Sequence, residues 1–260
     1  MQDRVSLEFS NGIADVRLDR TDKLNALDRP MFEAIIATGE QLAALHGLRV
    51  VVLSGEGRCF SAGIDLTGFD AIRESGPLAR RTHGDCNIFQ KAAMQWRDLP
   101  VPVIAAIHGV CFGGGLQIAS GADIRIAAPD ARFSVMEMKW GLIPDMAGHP
   151  LWRGNVRDDI LRELTYTARE FNGVEAREIG MVTMLDDAPH ARAMQLAADI
   201  AGKSPSAMRA AKALFERAPN MDRSALLLAE SEVEDTLIFK PDQLEAVAAG
   251  MEKRAAVYRD

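Results

Sequence analysis

The sequence has 260 residues, 48% hydrophobic and 26% charged, with a formal net charge of −7. That length can bury a full core, no apolar run is long enough to cross a bilayer, and the acidic balance argues against a nucleic-acid footprint while leaving room for one anionic-ligand site. Cys59, Cys86 and Cys111 are odd in number and lack metal-ligand spacing, so reduced thiols are expected rather than a disulfide framework or a zinc site. With no basic, apolar leader at Met1-Gln2-Asp3-Arg4, a cytoplasmic protein is expected.

Val5–Phe9 and Ile13–Leu18 alternate around Asn11-Gly12, a pair that favours a tight turn, so the chain opens with an antiparallel hairpin. Pro30, after Asp28, starts a helix whose apolar residues recur at helical spacing from Met31 to Leu45, and Val50–Leu53 reads as a short buried strand. Residues 68–98 are richer in charge: a mobile loop is expected near 70, and the spacing predicts a helix over Arg80–Arg97 before Pro100 and Pro102 bracket an extended segment. Strands follow at Val103–Ile107 and Ile124–Ala127 with a helix between them from Gly114, then a helix over Arg157–Thr165. After Val182 the pattern is almost wholly helical: His190–Ala201, Pro205–Ala218, Arg223–Phe239 and Pro241–Tyr258. A mixed α/β core over residues 1–190 with a C-terminal helical region over 191–260 is the resulting division.

The most telling segment is Ile104–Asp123. A buried strand runs into Gly113-Gly114-Gly115 and then a helix, which aims backbone N–H groups at a ligand and suits an anion or a developing oxyanion. A second turn, Cys59 to Leu66, follows the Val50–Leu53 strand, so two donors can converge as an oxyanion hole. Read alone, the glycine run is equally a ligand-free strand-to-helix turn.

"FSAGIDL" at Phe60–Leu66, followed by "AAIHGVCFGGGLQIASGADIRIA" at Ala105–Ala127, resembles the crotonase (enoyl-CoA hydratase/isomerase) superfamily. The resemblance runs from "DRTDKLNAL" at Asp19–Leu27 through "FSVMEMKWGLIPDMAG" at Phe133–Gly148 to "MEKR" at Met251–Arg254. It implies a spiral of strand-strand-helix units with C-terminal helices that mediate a homotrimer or a dimer of trimers. It also implies an acyl-CoA thioester substrate, with coenzyme A carried by the substrate and no separate cofactor, metal, nucleic acid or membrane.

By the same resemblance the oxyanion-hole amides fall on Ile64 and Gly114, and contacts to the coenzyme A moiety on Lys23, Ala62, Asp65 and Lys253. Gly250 stands where relatives often carry an aromatic residue, which weakens the Lys253 contact. Family hydratases use two glutamates; here their positions hold Gln117 and Glu137. An amide orients water but exchanges no proton near neutral pH. A single carboxylate, by contrast, can move a double bond by taking a proton from one carbon and returning it to another. Glu137 matches the essential glutamate of Δ3,Δ2-enoyl-CoA isomerases, so double-bond isomerisation with Glu137 as proton shuttle is the first reading, and syn hydration of a 2-enoyl-CoA the alternative. Asp145 matches an aspartate of dienoyl-CoA isomerases and is a candidate second proton carrier, or a loop aspartate beside Pro144. A non-catalytic acyl-CoA-binding member is the reading from a different class.

His108, with no acid partner nearby in sequence, reads as structural. Asp123 is assigned to backbone hydrogen bonds. Phe112 and Trp140 are possible acyl-pocket residues that, beside a turn, are more often core.

Overall fold

The computed structural model describes residues 4–68 and 76–259; Met1 to Asp3 and the loop expected to be mobile near residue 70 lie outside the described residues. β1 (Val5–Ser10) and β2 (Ile13–Leu18) pair antiparallel through a turn in which Asn11 and Gly12 both take positive φ. β3 (Val50–Gly55), β4 (Val103–Ile107), β6 (Ile124–Ala127) and β9 (Met184–Leu185) continue the sheet in parallel, giving the order β1-β2-β3-β4-β6-β9. β5 (Val110–Phe112), β7 (Arg132–Ser134) and β8 (Phe171–Asn172) form a second, three-stranded sheet.

β3 from Val50 to Leu53 and the whole of β4 are apolar because both faces are covered. On one face Val51, Leu53, Val103, Ala105 and Ile107 join the main core with Phe32 and Ile35 of α1 (Arg29–Ala43) and Trp96 of α2 (Ile88–Asp98). On the other, Val50, Val52, Ile104 and Ile126 meet Ala193, Ala197 and Ala201 of α7 (Pro189–Ala201), whose small side chains let the helix lie close to the sheet. Between these come α3 (Gly114–Ser120), α4 (Gly148–Trp152), α5 (Asp158–Thr167) and α6 (Gly173–Glu178); α8 (Pro205–Arg217), α9 (Arg223–Asp235) and α10 (Pro241–Glu252) follow.

Three expected helices are shorter in the structure. The one expected from Arg80 starts only at Ile88, because Asn87 accepts from the Phe89 and Gln90 amides while the Gln90 side chain accepts from the Asn87 amide, a reciprocal cap that sets the first turn. Upstream, Arg81 holds a non-helical loop through the Leu78, Ala79 and Asp85 carbonyls. The helix from Arg223 ends at Asp235, and Phe239 beyond it has φ +60°. The last helix stops at Glu252 on a left-handed Lys253; Glu245 then accepts from Val257 N and Arg254 and draws the tail back along the helix. The strands missed in the sequence have only two or three residues each, too few for a period-2 pattern to register.

Among the described residues no helix is long and apolar enough to cross a membrane.

Candidate active site

The turn after β3 and the turn between β5 and α3 meet. The turn after β3 is stapled to the "DKLNAL" segment: Ala62 N donates to Leu24 O, Leu27 N to Gly63 O and Asp65 N to Leu27 O, while Asn25 Nδ2 binds the Glu56 and Cys59 carbonyls. Gly63, at φ +88°, lies so close to the second turn that a Cβ would sit 2.7 Å from Phe112 O and 3.7 Å from Gly114 N. Gly113, at φ +48°, swings the chain from β5 into α3. Both turns therefore need glycine at their hinge. Neither the Ile64 nor the Gly114 amide donates to another described residue, and at the first position of a helix the Gly114 N–H has no intrahelical acceptor. Each is an unpartnered donor, among the described residues, on one of two loops in contact.

They border a cavity of about 220 Å³ lined by Ala62, Ile64, Phe112, Gly114, Glu137 and Trp140, with Leu66, Met136, Lys139 and Leu142 at its sides. Phe112 and Trp140, which sequence reasoning assigned more readily to the core, are cavity walls; Trp140 is 48% exposed. The available signal was position: each adjoins a turn that a ligand must reach.

Glu137 sits in a 3-10 turn, Met136–Trp140, that begins directly after β7 and is closed by a left-handed Gly141. It is only 7% exposed. Oε1 accepts from Gln117 Nε2 at 2.7 Å, and Oε2 is buried with no partner among the described residues. Burial pushes the carboxyl above its usual range and the charge of Asp145 adds to the rise, against the pull of its own backbone amide and of Gln117. Gln117 in turn accepts from Gly148 N at 2.9 Å. Asp145, half-buried, does not line the cavity, and burial raises its pKa as well.

The remaining candidates fall elsewhere. Asp65 spends its carboxylate on the Thr67 hydroxyl and amide and on Arg20 at 2.7 Å, which together hold its pKa down to about 2. Lys23 and Lys253 are exposed and neither lines the cavity. His108 bonds the Gly57 carbonyl through Nε2, a loop contact. Asp123 accepts from Val103 N and from Lys212, whose ammonium also binds the Trp96 and Val101 carbonyls and so anchors α8 to the core.

Two unpartnered amides on residues that border one cavity, a buried carboxylate and an apolar wall suit proton transfer next to a carbonyl whose oxygen takes negative charge. Residues 8–260 match the profile of the family described as enoyl-CoA hydratase/isomerase. The chain belongs to the enoyl-CoA hydratase/isomerase family. Among its relatives are the mitochondrial Delta(3,5)-Delta(2,4)-dienoyl-CoA isomerase of Mus musculus, 33% identical over 93% of this chain and 77% of that protein, and the mitochondrial methylglutaconyl-CoA hydratase of the same species, 29% identical over 97% of this chain and 81% of that protein. The crystal structure of enoyl-CoA hydratase from Bacillus anthracis superposes with a TM-score of 0.89 at 27% identity, covering 98% of each chain. The α/β architecture is thus that of the crotonase superfamily, and the protein is an enzyme of the enoyl-CoA isomerase/hydratase type, with an acyl-CoA substrate implied by the family.

Proposed function

We propose that the enzyme moves a double bond in an enoyl-CoA thioester, with Glu137 as the sole proton shuttle. The observation that carries this reading is the state of Gln117: its amide is tied to Gly148 N and to Glu137, and an amide exchanges no proton near neutral pH, so it supplies no second proton carrier. The thioester oxygen is held by the Ile64 and Gly114 amides. The Glu137 carboxylate removes a proton from C2 of a 3-enoyl thioester, the electron pair moves into a dienolate whose oxygen charge the two amides stabilise, and the same carboxyl returns the proton at C4. Removing one donor from such a hole typically costs about 10²- to 10³-fold, and a positioned acid/base supplies about 10²- to 10⁴-fold. Coenzyme A enters as part of the substrate, held by Lys23 and the Ala62–Asp65 loop, and no separate cofactor takes part.

The exposed apolar side chains of α9 and α10 support assembly as a homotrimer or a dimer of trimers, which would bring Lys253 toward a neighbouring subunit's ligand. Three buried, free thiols suit a reducing, cytoplasmic setting.

A second reading rests on Asp145, whose charge acts on Glu137. A second carboxyl acting with Glu137 would suit a dienoyl substrate, in which proton removal and return lie further apart; the relative at 33% identity bears that activity in its name.

The test is to incubate the protein with a 3-enoyl-CoA, a 3,5-dienoyl-CoA and a 2-enoyl-CoA in deuterated water and follow the products by mass spectrometry, with Glu137→Gln as control. Migration in the first tube with little hydration in the third is the expected result. Migration confined to the dienoyl substrate and lost in Asp145→Asn selects the second reading, and rapid hydration of the 2-enoyl-CoA overturns both.

A further inference from the structure

The amide of Gln117 has a defined orientation. A backbone N–H can only donate, so the atom facing Gly148 N at 2.9 Å is the carbonyl oxygen, and the NH2 group is the one that meets Glu137 Oε1 at 2.7 Å. Gln117 is 1% exposed and is held on both sides. Position 148 admits no side chain, because a Cβ there would lie 2.6 Å from the Trp152 ring and 2.9 Å from Gln117 Oε1. One turn along α3, Ser120 Oγ accepts from Trp152 Nε1 at 2.8 Å. Gln117 and Ser120 therefore tie α3 to α4 at two rungs, and the first rung continues to the carboxyl in the cavity wall.

We propose that Gln117 is a positioning residue that fixes the orientation of the Glu137 carboxyl toward the substrate by holding Oε1. The inference rests on Glu137 being the proton shuttle of the proposed isomerase. A carboxyl that must take a proton at one carbon and return it at another gains from having one oxygen fixed, since rotation about its last bond would otherwise exchange the two oxygens; a misplacement of about 1 Å costs on the order of 10²-fold in rate. The same hydrogen bond stabilises the charged carboxylate against burial. Asp145 is the charged group that acts on Glu137 from the segment before α4. Lys139, in the same turn, lies over the Trp140 ring, and on α5, which packs against that turn, Asp158 and Arg162 pair with each other at the surface.

The experiment compares wild type with Gln117→Met, which keeps the volume and loses both bonds, and with Gln117→Asn, which keeps the amide but is too short to span Gly148 and Glu137. Two readouts are taken: the pH profiles of kcat and KM on the 3-enoyl-CoA, and the infrared titration of the carboxyl signal that disappears in Glu137→Gln. With the holding bond lost, kcat falls by about ten- to a hundredfold and KM stays within about threefold. The acidic limb and the infrared midpoint both move to higher pH in both variants. An unmoved midpoint in the two variants overturns the assignment, whatever happens to the rate, because a packing role alone would not change the titration of Glu137. If the wild type moves no double bond yet the midpoint still shifts, the isomerase reading fails while Gln117 keeps its role.

Discussion

Between the two glycine turns and the Gly148 helix, buried groups find their partners inside the chain; beyond Ser204 the large apolar side chains do not. Around the cavity, Asn25 satisfies the Glu56 and Cys59 carbonyls, Ser61 Oγ accepts from Gly63 N and donates to Asn25 O, and Gln117 serves Gly148 and Glu137 together. In α9, α10 and the turn between them, Leu228 is 60%, Phe239 76% and Met251 81% exposed. The first region has the largely closed polar accounting of a site built to hold one geometry, with one oxygen of Glu137 and the Ile64 and Gly114 amides left without partners among the described residues. The second leaves an apolar face open to solvent, which the proposed assembly would cover. Lys212 joins the two, since its three bonds fix α8 to Trp96 of α2 and to Val101 and Asp123, which lead into β4 and β6.

The sharpest break in the first region is Glu137→Gln. Isomerisation is expected to fall by about 10³-fold, within the range for a lost acid/base group, measured as product formation at saturating substrate. The same change should stabilise the fold at neutral pH. Burial raises the Glu137 pKa, so its contribution to stability is present below the ordinary carboxylate pKa and is lost as pH rises through the raised value. The variant's thermal midpoint should accordingly exceed the wild type's at pH 7, and the difference should vanish under acid. Gly114→Ala comes next. Its Cβ would meet Met146 Sδ at 2.8 Å and Leu27 Cδ1 at 3.0 Å; the flexible methionine can move, so the fold survives while the amide is displaced. Turnover should drop by about a hundredfold with circular dichroism unchanged.

Both regions were legible in the sequence to different depths. The Asn-Gly hairpin, the glycine run and the apolar runs Val50–Leu53 and Val103–Ile107 showed through because each is a local pattern with one physical solution. Glu137, Gln117, Ile64 and Gly114 could be named from motif order, and the structure brings these four together. Phe112 and Trp140 could not be told from core residues, since whether an aromatic faces a cavity depends on what packs opposite. The true start of α2 was hidden because its reciprocal cap at Asn87 and Gln90 overrides the helical periodicity upstream. The commitment of Asp65 to Arg20 and Thr67 was equally hidden: a salt bridge 45 positions apart leaves no trace in spacing.

In the second region Leu228→Glu combined with Val247→Glu should dissolve the expected assembly, seen as a shift toward monomer in analytical ultracentrifugation. Charges placed on an interface core cost several kcal/mol in desolvation and like-charge repulsion. A wild type that sediments as a monomer would break the comparison, since those faces would then be covered by nothing. The smallest effect is expected at Lys23→Ala. The side chain is exposed at the end of a 3-10 turn, so a contact from it to a coenzyme A phosphate is a surface ion pair, worth about 1 kcal/mol or less. KM should therefore rise by no more than about fivefold with kcat unchanged, and the rise should shrink as salt is added, because screening weakens exposed pairs far more than buried ones. A fall in kcat instead would mean that Lys23 acts through the segment Leu24–Leu27 that staples the Ile64 turn. The lysine would then belong to the closed polar network of the site rather than to its solvated rim.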